Sequence, residues 1–126
     1  MSYAQRRILY IDDDYTDQKI VEIMLRDRNV TVDECLDPTS AGPKIEKNGY
    51  DAILVDYRLP LLNGVELIKR LKNKVHCPIY IVSAHEEAYV KAELSKHDVQ
   101  VEGFIWKNGL KQNLAHLMEI LYGKKK

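Results

Sequence analysis

Polar and apolar positions follow two rhythms along this chain. Short apolar runs stop abruptly at polar residues, and longer stretches between them repeat apolar residues every three or four positions. The first rhythm suits strands covered on both faces, the second amphipathic helices. Ile8-Leu9-Tyr10-Ile11 is the first compact run, ended by Asp12-Asp13-Asp14. From Thr16 to Arg28, Ile20, Val21, Met24 and Leu25 fall on one helical stripe. Asp14 or Thr16 is its expected cap, with Asp17 favourable in the first turn. Val30 to Leu36 is rich in β-branched residues and reads as a second strand. Gly42-Pro43 then stands where a helix interior is expected. An interior proline costs about 3 kcal/mol, so the second helix is predicted to be short and to start near Pro43, or to kink there, before Asn48-Gly49 stops it.

Ala52-Ile53-Leu54-Val55 is the next strand, ending at Asp56, and Pro60-Leu61-Leu62-Asn63-Gly64 is a turn. Val65, Leu67, Ile68 and Leu71 have helical spacing. Ile79-Tyr80-Ile81-Val82 is a buried strand ending at Ser83, and Glu86 to His97 reads as a weak helix carrying Ala88, Ala92 and Leu94. Phe104-Ile105-Trp106 is a short last strand ending at Lys107. Leu110, Leu114, Leu117, Met118 and Leu121 mark the last helix, closed by Gly123 and three lysines. Five βα units predict an α/β fold, a doubly wound five-stranded parallel sheet with helices on both faces. No linker or second pattern interrupts it, so residues 1–126 are expected to form one domain with no output domain attached.

Composition narrows the function classes. Among 126 residues, 19 basic and 19 acidic side chains cancel, leaving no overall field for nucleic acid or an anionic membrane. No apolar run approaches the roughly 20 residues of a membrane helix. The two cysteines, Cys35 and Cys77, have neither C-x-x-C nor zinc spacing, and the N-terminus lacks a signal-peptide pattern. A reduced, cytoplasmic protein is expected.

The polar residues that end the strands carry the candidate chemistry. Asp12, Asp13, Asp56, Ser83 and Lys107 all stand at carboxyl ends of predicted strands, which in a parallel sheet share the edge where ligands bind. Three converging carboxylates repel, and a divalent cation with oxygen ligands relieves the repulsion. Their charge of −3, with +1 from Lys107, is cancelled by one such ion. An aspartate beside magnesium and a lysine is suited to attack a phosphoryl group.

Four segments, Ile8–Asp14, Asp51–Gly64, Val82-Ser83-Ala84 and Phe104–Lys107, together resemble the receiver domain of two-component response regulators. The resemblance implies the flavodoxin-like strand order 2-1-3-4-5. It implies Asp56 as phosphoacceptor, and Asp12 and Asp13 with Asp56 and the Arg58 backbone carbonyl as the site for magnesium or manganese. Ser83 matches the switch hydroxyl, Lys107 the family lysine, Phe104 the aromatic that turns inward, and Pro60 and Gly64 the turn after strand three. The phosphoryl donor would be a histidine kinase or phosphotransfer protein. Phosphorylation would reshape the helix 4–strand 5–helix 5 surface for a downstream protein, and a homodimer through that surface is compatible with the resemblance. No nucleic acid, membrane or independent enzymatic activity is expected beyond the domain's own phosphotransfer and dephosphorylation.

Asn108 replaces the usual proline after the lysine, so a trans Lys107–Asn108 bond is expected. Arg58 and His85 occupy positions that tune phosphoryl loss in the family. Two alternatives are a degenerate receiver that binds partners without phosphorylation, and a haloacid-dehalogenase-type phosphatase. The second lacks its general acid, because Arg58 stands where an aspartate is needed. Asp14 is assigned to capping. Trp106, Tyr10, Tyr57 and Tyr80 are assigned to packing, and the four histidines to the surface or loops.

Overall fold

An apolar run without polar interruption is most stable inside a sheet covered on both faces. The computed structural model describes residues 4–84, 87–107 and 110–122 and places the runs there. The strands β1 (Arg6–Ile11), β3 (Ala52–Asp56) and β4 (Ile79–Ser83) form the centre of the sheet; β2 (Val30–Cys35) and β5 (Gly103–Trp106) are its edges. All neighbours are parallel, in the order β2-β1-β3-β4-β5. This is the predicted α/β architecture.

Strand alternation sorts the core into two layers. Leu9, Ile11, Ile53, Val55 and Ile81 pack against α2 (Ala41–Lys47), α3 (Gly64–Leu71) and α4 (Glu87–Lys96). Ile8, Tyr10, Leu54, Tyr80, Val82 and Ile105 face α1 (Tyr15–Arg26) and α5 (Leu110–Tyr122). Each fully buried large apolar side chain contributes about 1.5–3 kcal/mol relative to exposure, so the two layers hold the sheet edge rigidly. The chain leaves β1 for β2 on one side and returns to β3 on the other. That reversal opens a crevice at the carboxyl ends of β1 and β3.

Several local expectations need correction. The second helix is short, as expected, and its start is refined to Ala41, two residues before Pro43, after a 3-10 turn at Pro38–Ser40. Pro43 is then the third helical residue, where the backbone N–H has no partner within the helix, so the missing donor costs nothing. In α4 the buried residues are Val90 and Leu94, and Ala88 and Ala92 are exposed. In α1 the buried stripe is Gln18, Val21 and Leu25, while Ile20 is exposed. The capping of α1 falls to Asp14, whose Oδ1 accepts the Asp17 N–H at 3.1 Å. The expectations for His85, Asn108, Gly123 and the terminal lysines lie outside the described residues. None of the described helices is long and apolar enough to cross a membrane.

Candidate functional site

The end of β1 is held by a buried amide. The two N–H groups of Gln18 Nε2 are shared among the backbone carbonyls of Tyr10 (3.0 Å), Asp12 (2.7 Å) and Cys35 (3.0 Å), tying the ends of β1 and β2 to α1. The Asp12 N–H also donates to the Cys35 carbonyl at 3.0 Å. These bonds fix the backbone from which Asp12 and Asp13 project. The Asp12 side chain is fully buried: Oδ1 accepts the Asp14 N–H at 2.9 Å and Oδ2 accepts the Tyr10 hydroxyl at 2.7 Å. Burial first, and then the Asp12 charge, push the Tyr10 phenol above its ordinary range, so it stays a donor. Asp13 is exposed.

Asp56 ends β3 and is 5% exposed. The turn after it is closed by the Gly64 N–H, which donates to the Tyr57 carbonyl at 2.7 Å, and by an antiparallel bridge between Arg58 and Asn63. A Cβ at Gly64 would collide with the Asp56 carbonyl, so this approach requires glycine. Asn63 starts α3 with a capping box: its Oδ1 accepts the Glu66 N–H at 2.9 Å and its own N–H donates to Glu66 Oε1 at 3.3 Å. Ser83 ends β4, almost wholly buried, and its carbonyl accepts the Lys107 N–H at 3.0 Å.

Lys107 Nζ reaches into the crevice and lies 2.8 Å from Asp17, 3.3 Å from Asp56 and 3.4 Å from Asp12. Burial disfavours the ammonium, but the Asp17 hydrogen bond and the Asp56 and Asp12 charges outweigh it and hold its pKa above the ordinary lysine value. Asp56 moves the other way from a free carboxylate: burial and the neighbouring Asp12 push it up to about 7, with Lys107 opposing.

One oxygen from each of Asp12, Asp13 and Asp56 fits within a 4.8 Å set. With Asp17 the crevice holds four carboxylates against one lysine, a surplus of three negative charges once all four are ionised. Hard oxygen donors at this spacing, with charge left to neutralise, suit a divalent cation.

The five strand-end residues singled out in the sequence are thus brought to one edge, and Lys107 meets both Asp12 and Asp56. Pro60 and Gly64 lie in the turn between β3 and α3. Phe104 is half-buried, stacked on Trp106 at 6.1 Å, with Lys91 of α4 5.9 Å from its ring centre. Three residues escaped the sequence reading. Tyr10 was assigned to packing alone, Asp17 to the helix dipole, and Gln18 to nothing. Nothing in a local pattern marks them, although a glutamine on the apolar stripe of α1 is a weak signal.

A family model for the response regulator receiver domain matches residues 8–119. The chain belongs to the response regulator receiver family. This receiver domain is 32% identical to the response regulator ArlR of Staphylococcus epidermidis over 84 residues, 67% of the chain and 38% of ArlR. It therefore spans well under half the length of that relative. Among solved structures it is similar to the receiver domain of Francisella response regulator 1452 (26% identity, TM-score 0.78, covering 97% of this chain and 100% of that one). A second is the receiver domain of the sensor histidine kinase PA1611 of Pseudomonas aeruginosa, with magnesium in its active-site cleft (25% identity, TM-score 0.80, covering 96% and 100%). The chemotaxis protein CheY4 of Vibrio cholerae, at 22% identity and TM-score 0.79 over 94% of this chain and 99% of that one, shares the fold.

Proposed function

We propose that this receiver domain accepts a phosphoryl group on Asp56 from a histidine kinase or phosphotransfer protein, with magnesium or manganese bound at Asp12, Asp13, Asp56 and the Arg58 carbonyl. The observation that carries the reading is the meeting of three carboxylates, with one oxygen from each within 4.8 Å of the others, and Lys107 Nζ 3.3 Å from the buried Asp56. The cation supplies charge neutralisation for the oxygens of the transferring phosphoryl group. An Asp56 oxygen forms the O–P bond as the P–N bond of the donor phosphohistidine breaks. The electron pair returns to the imidazole. Lys107 stabilises the phosphoryl oxygens from one side, and the Ser83 hydroxyl donates to one of them in the product. Buried Asp12, held by the Tyr10 hydroxyl and the Asp14 N–H, cannot swing away while this occurs.

Output is assigned to the α4–β5–α5 face. Phe104 links β5 to α4 through Lys91, so an inward turn of its ring toward Ser83 breaks a contact between the two elements. The downstream protein would read that change, and a homodimer through the face is a second outcome of the same switch.

The test uses acetyl phosphate as donor. With magnesium, the protein is expected to gain one hydroxylamine-labile phosphoryl group by mass spectrometry, and Asp56→Asn is expected to gain none. If the unaltered protein neither gains mass nor binds magnesium, the reading fails and a phosphorylation-independent interaction module replaces it.

A further inference from the structure

Lys107 has three carboxylates within reach, and the nearest is not Asp56. Its ammonium is 2.8 Å from Asp17 Oδ2, against 3.3 Å to Asp56 and 3.4 Å to Asp12. Only the Asp17 distance falls in the roughly 2.7–2.9 Å range of charge-assisted bonds. The base of the Asp17 side chain is also fixed. Asp17 lies in the first turn of α1, and its N–H is held by the Asp14 cap at 3.1 Å. Its side chain is 27% exposed and that of Lys107 24%, so the pair is partly shielded from water.

One ammonium cannot neutralise three carboxylates equally. A lysine drawn fully onto Asp56 adds a positive charge where a divalent cation has to bind, and occupies an Asp56 oxygen. A lysine held on Asp17 leaves that negative charge available. Shortening the Asp56 contact to the Asp17 distance takes only about 0.5 Å, so the exchange needs no backbone motion.

We propose that Asp17 is a positioning residue that holds Lys107 on the α1 side of the crevice, keeping the oxygens of Asp12, Asp13 and Asp56 open to a divalent cation until a phosphoryl group on Asp56 draws the ammonium across. The proposal rests on the reading of the acidic crevice given above. It assigns a role to a residue that the strand-end pattern does not mark.

The experiment is a double-mutant cycle read by magnesium affinity. Magnesium is titrated into the unaltered chain, Asp17→Asn, Lys107→Met and the double variant at fixed ionic strength. The signal is the fluorescence of Trp106, the single tryptophan and the neighbour of Lys107. Asparagine keeps the shape of Asp17 without its charge, so the freed lysine should move onto Asp56. Asp17→Asn is expected to weaken magnesium binding about three- to tenfold when Lys107 is present, and by a clearly smaller factor when Lys107 is methionine. An equal or larger effect without the lysine would overturn the proposal, because Asp17 would then act only as one more negative charge near the cation. A thermal melt in EDTA checks that each variant folds, and Asp17→Ser replaces any asparagine variant that does not. Absence of magnesium binding to the unaltered chain is a different result: it overturns the crevice reading itself.

Discussion

Replacing Asp56 by asparagine should make the metal-free protein more stable, and the gain should grow with pH. Asp56 is buried beside Asp12, and its carboxyl is pushed from the ordinary 3.8 up to about 7. Burial disfavours the ionised form in the folded state only. The Asp56 contribution to stability is therefore fully present below its unfolded value near ~4 and is lost as pH rises through about 7. The full difference corresponds to a ceiling of about 4 kcal/mol. Rearrangement around the exposed Asp13 side lowers it, so about 2 kcal/mol is the expected gain for Asp56→Asn at pH 8. The substitution strands no cation, because Lys107 keeps Asp17 at 2.8 Å and Asp12 at 3.4 Å. Urea unfolding of both proteins in EDTA, at pH 4.5 and pH 8, measures the effect. The gain should shrink to a small remainder at pH 4.5. Saturating magnesium should close the gap at pH 8 by stabilising the unaltered protein, by about 2.7 kcal/mol at a hundred times Kd. An Asp56→Asn protein no more stable than its parent at pH 8, or a gain equal at both pH values, would refute the reasoning.

Three further outcomes follow from the supports of the crevice. Gly64→Ala places a Cβ against the Asp56 carbonyl, and a displaced β3–α3 turn should cost about 2–3 kcal/mol in urea melts and slow acetyl-phosphate labelling. Gln18→Met keeps the volume but removes the donor to three carbonyls; a loss of about 2–4 kcal/mol is expected by thermal melting, and a near-neutral result would show that water replaces the amide. Tyr10→Phe removes the hydroxyl that Asp12 accepts, and is expected to destabilise the protein by about 1–2 kcal/mol at pH 8, measured by urea unfolding in EDTA.

The fold was legible in the sequence because its signals are local. Uninterrupted runs such as 52–55 and 79–82 fit only strands buried on both faces, and the residue ending each run had to lie at one sheet edge. Asp12, Asp13, Asp56, Ser83 and Lys107 were therefore placed at that edge by position alone. Pro43 signalled a short α2, and only the 3-10 turn upstream set its start at Ala41. In α4 the small alanines gave no guide to which side faces the sheet.

What the sequence by itself determined is the alternation of elements, the parallel sheet and the set of strand-end groups. It did so because periodicity and strand termination are properties of neighbouring residues. Only the tertiary structure decided how those groups pair. Asp17 and Lys107 are ninety positions apart, and Gln18 joins carbonyls from two strands. Ion pairs and buried hydrogen bonds depend on distances across packed layers, and a difference of half an ångström decides which carboxylate holds the lysine. Burial likewise came from packing: Asp13 and Asp56 have the same side chain, but Asp13 is exposed and Asp56 enclosed, and for Asp56 that enclosure is the first reason its charge is costly.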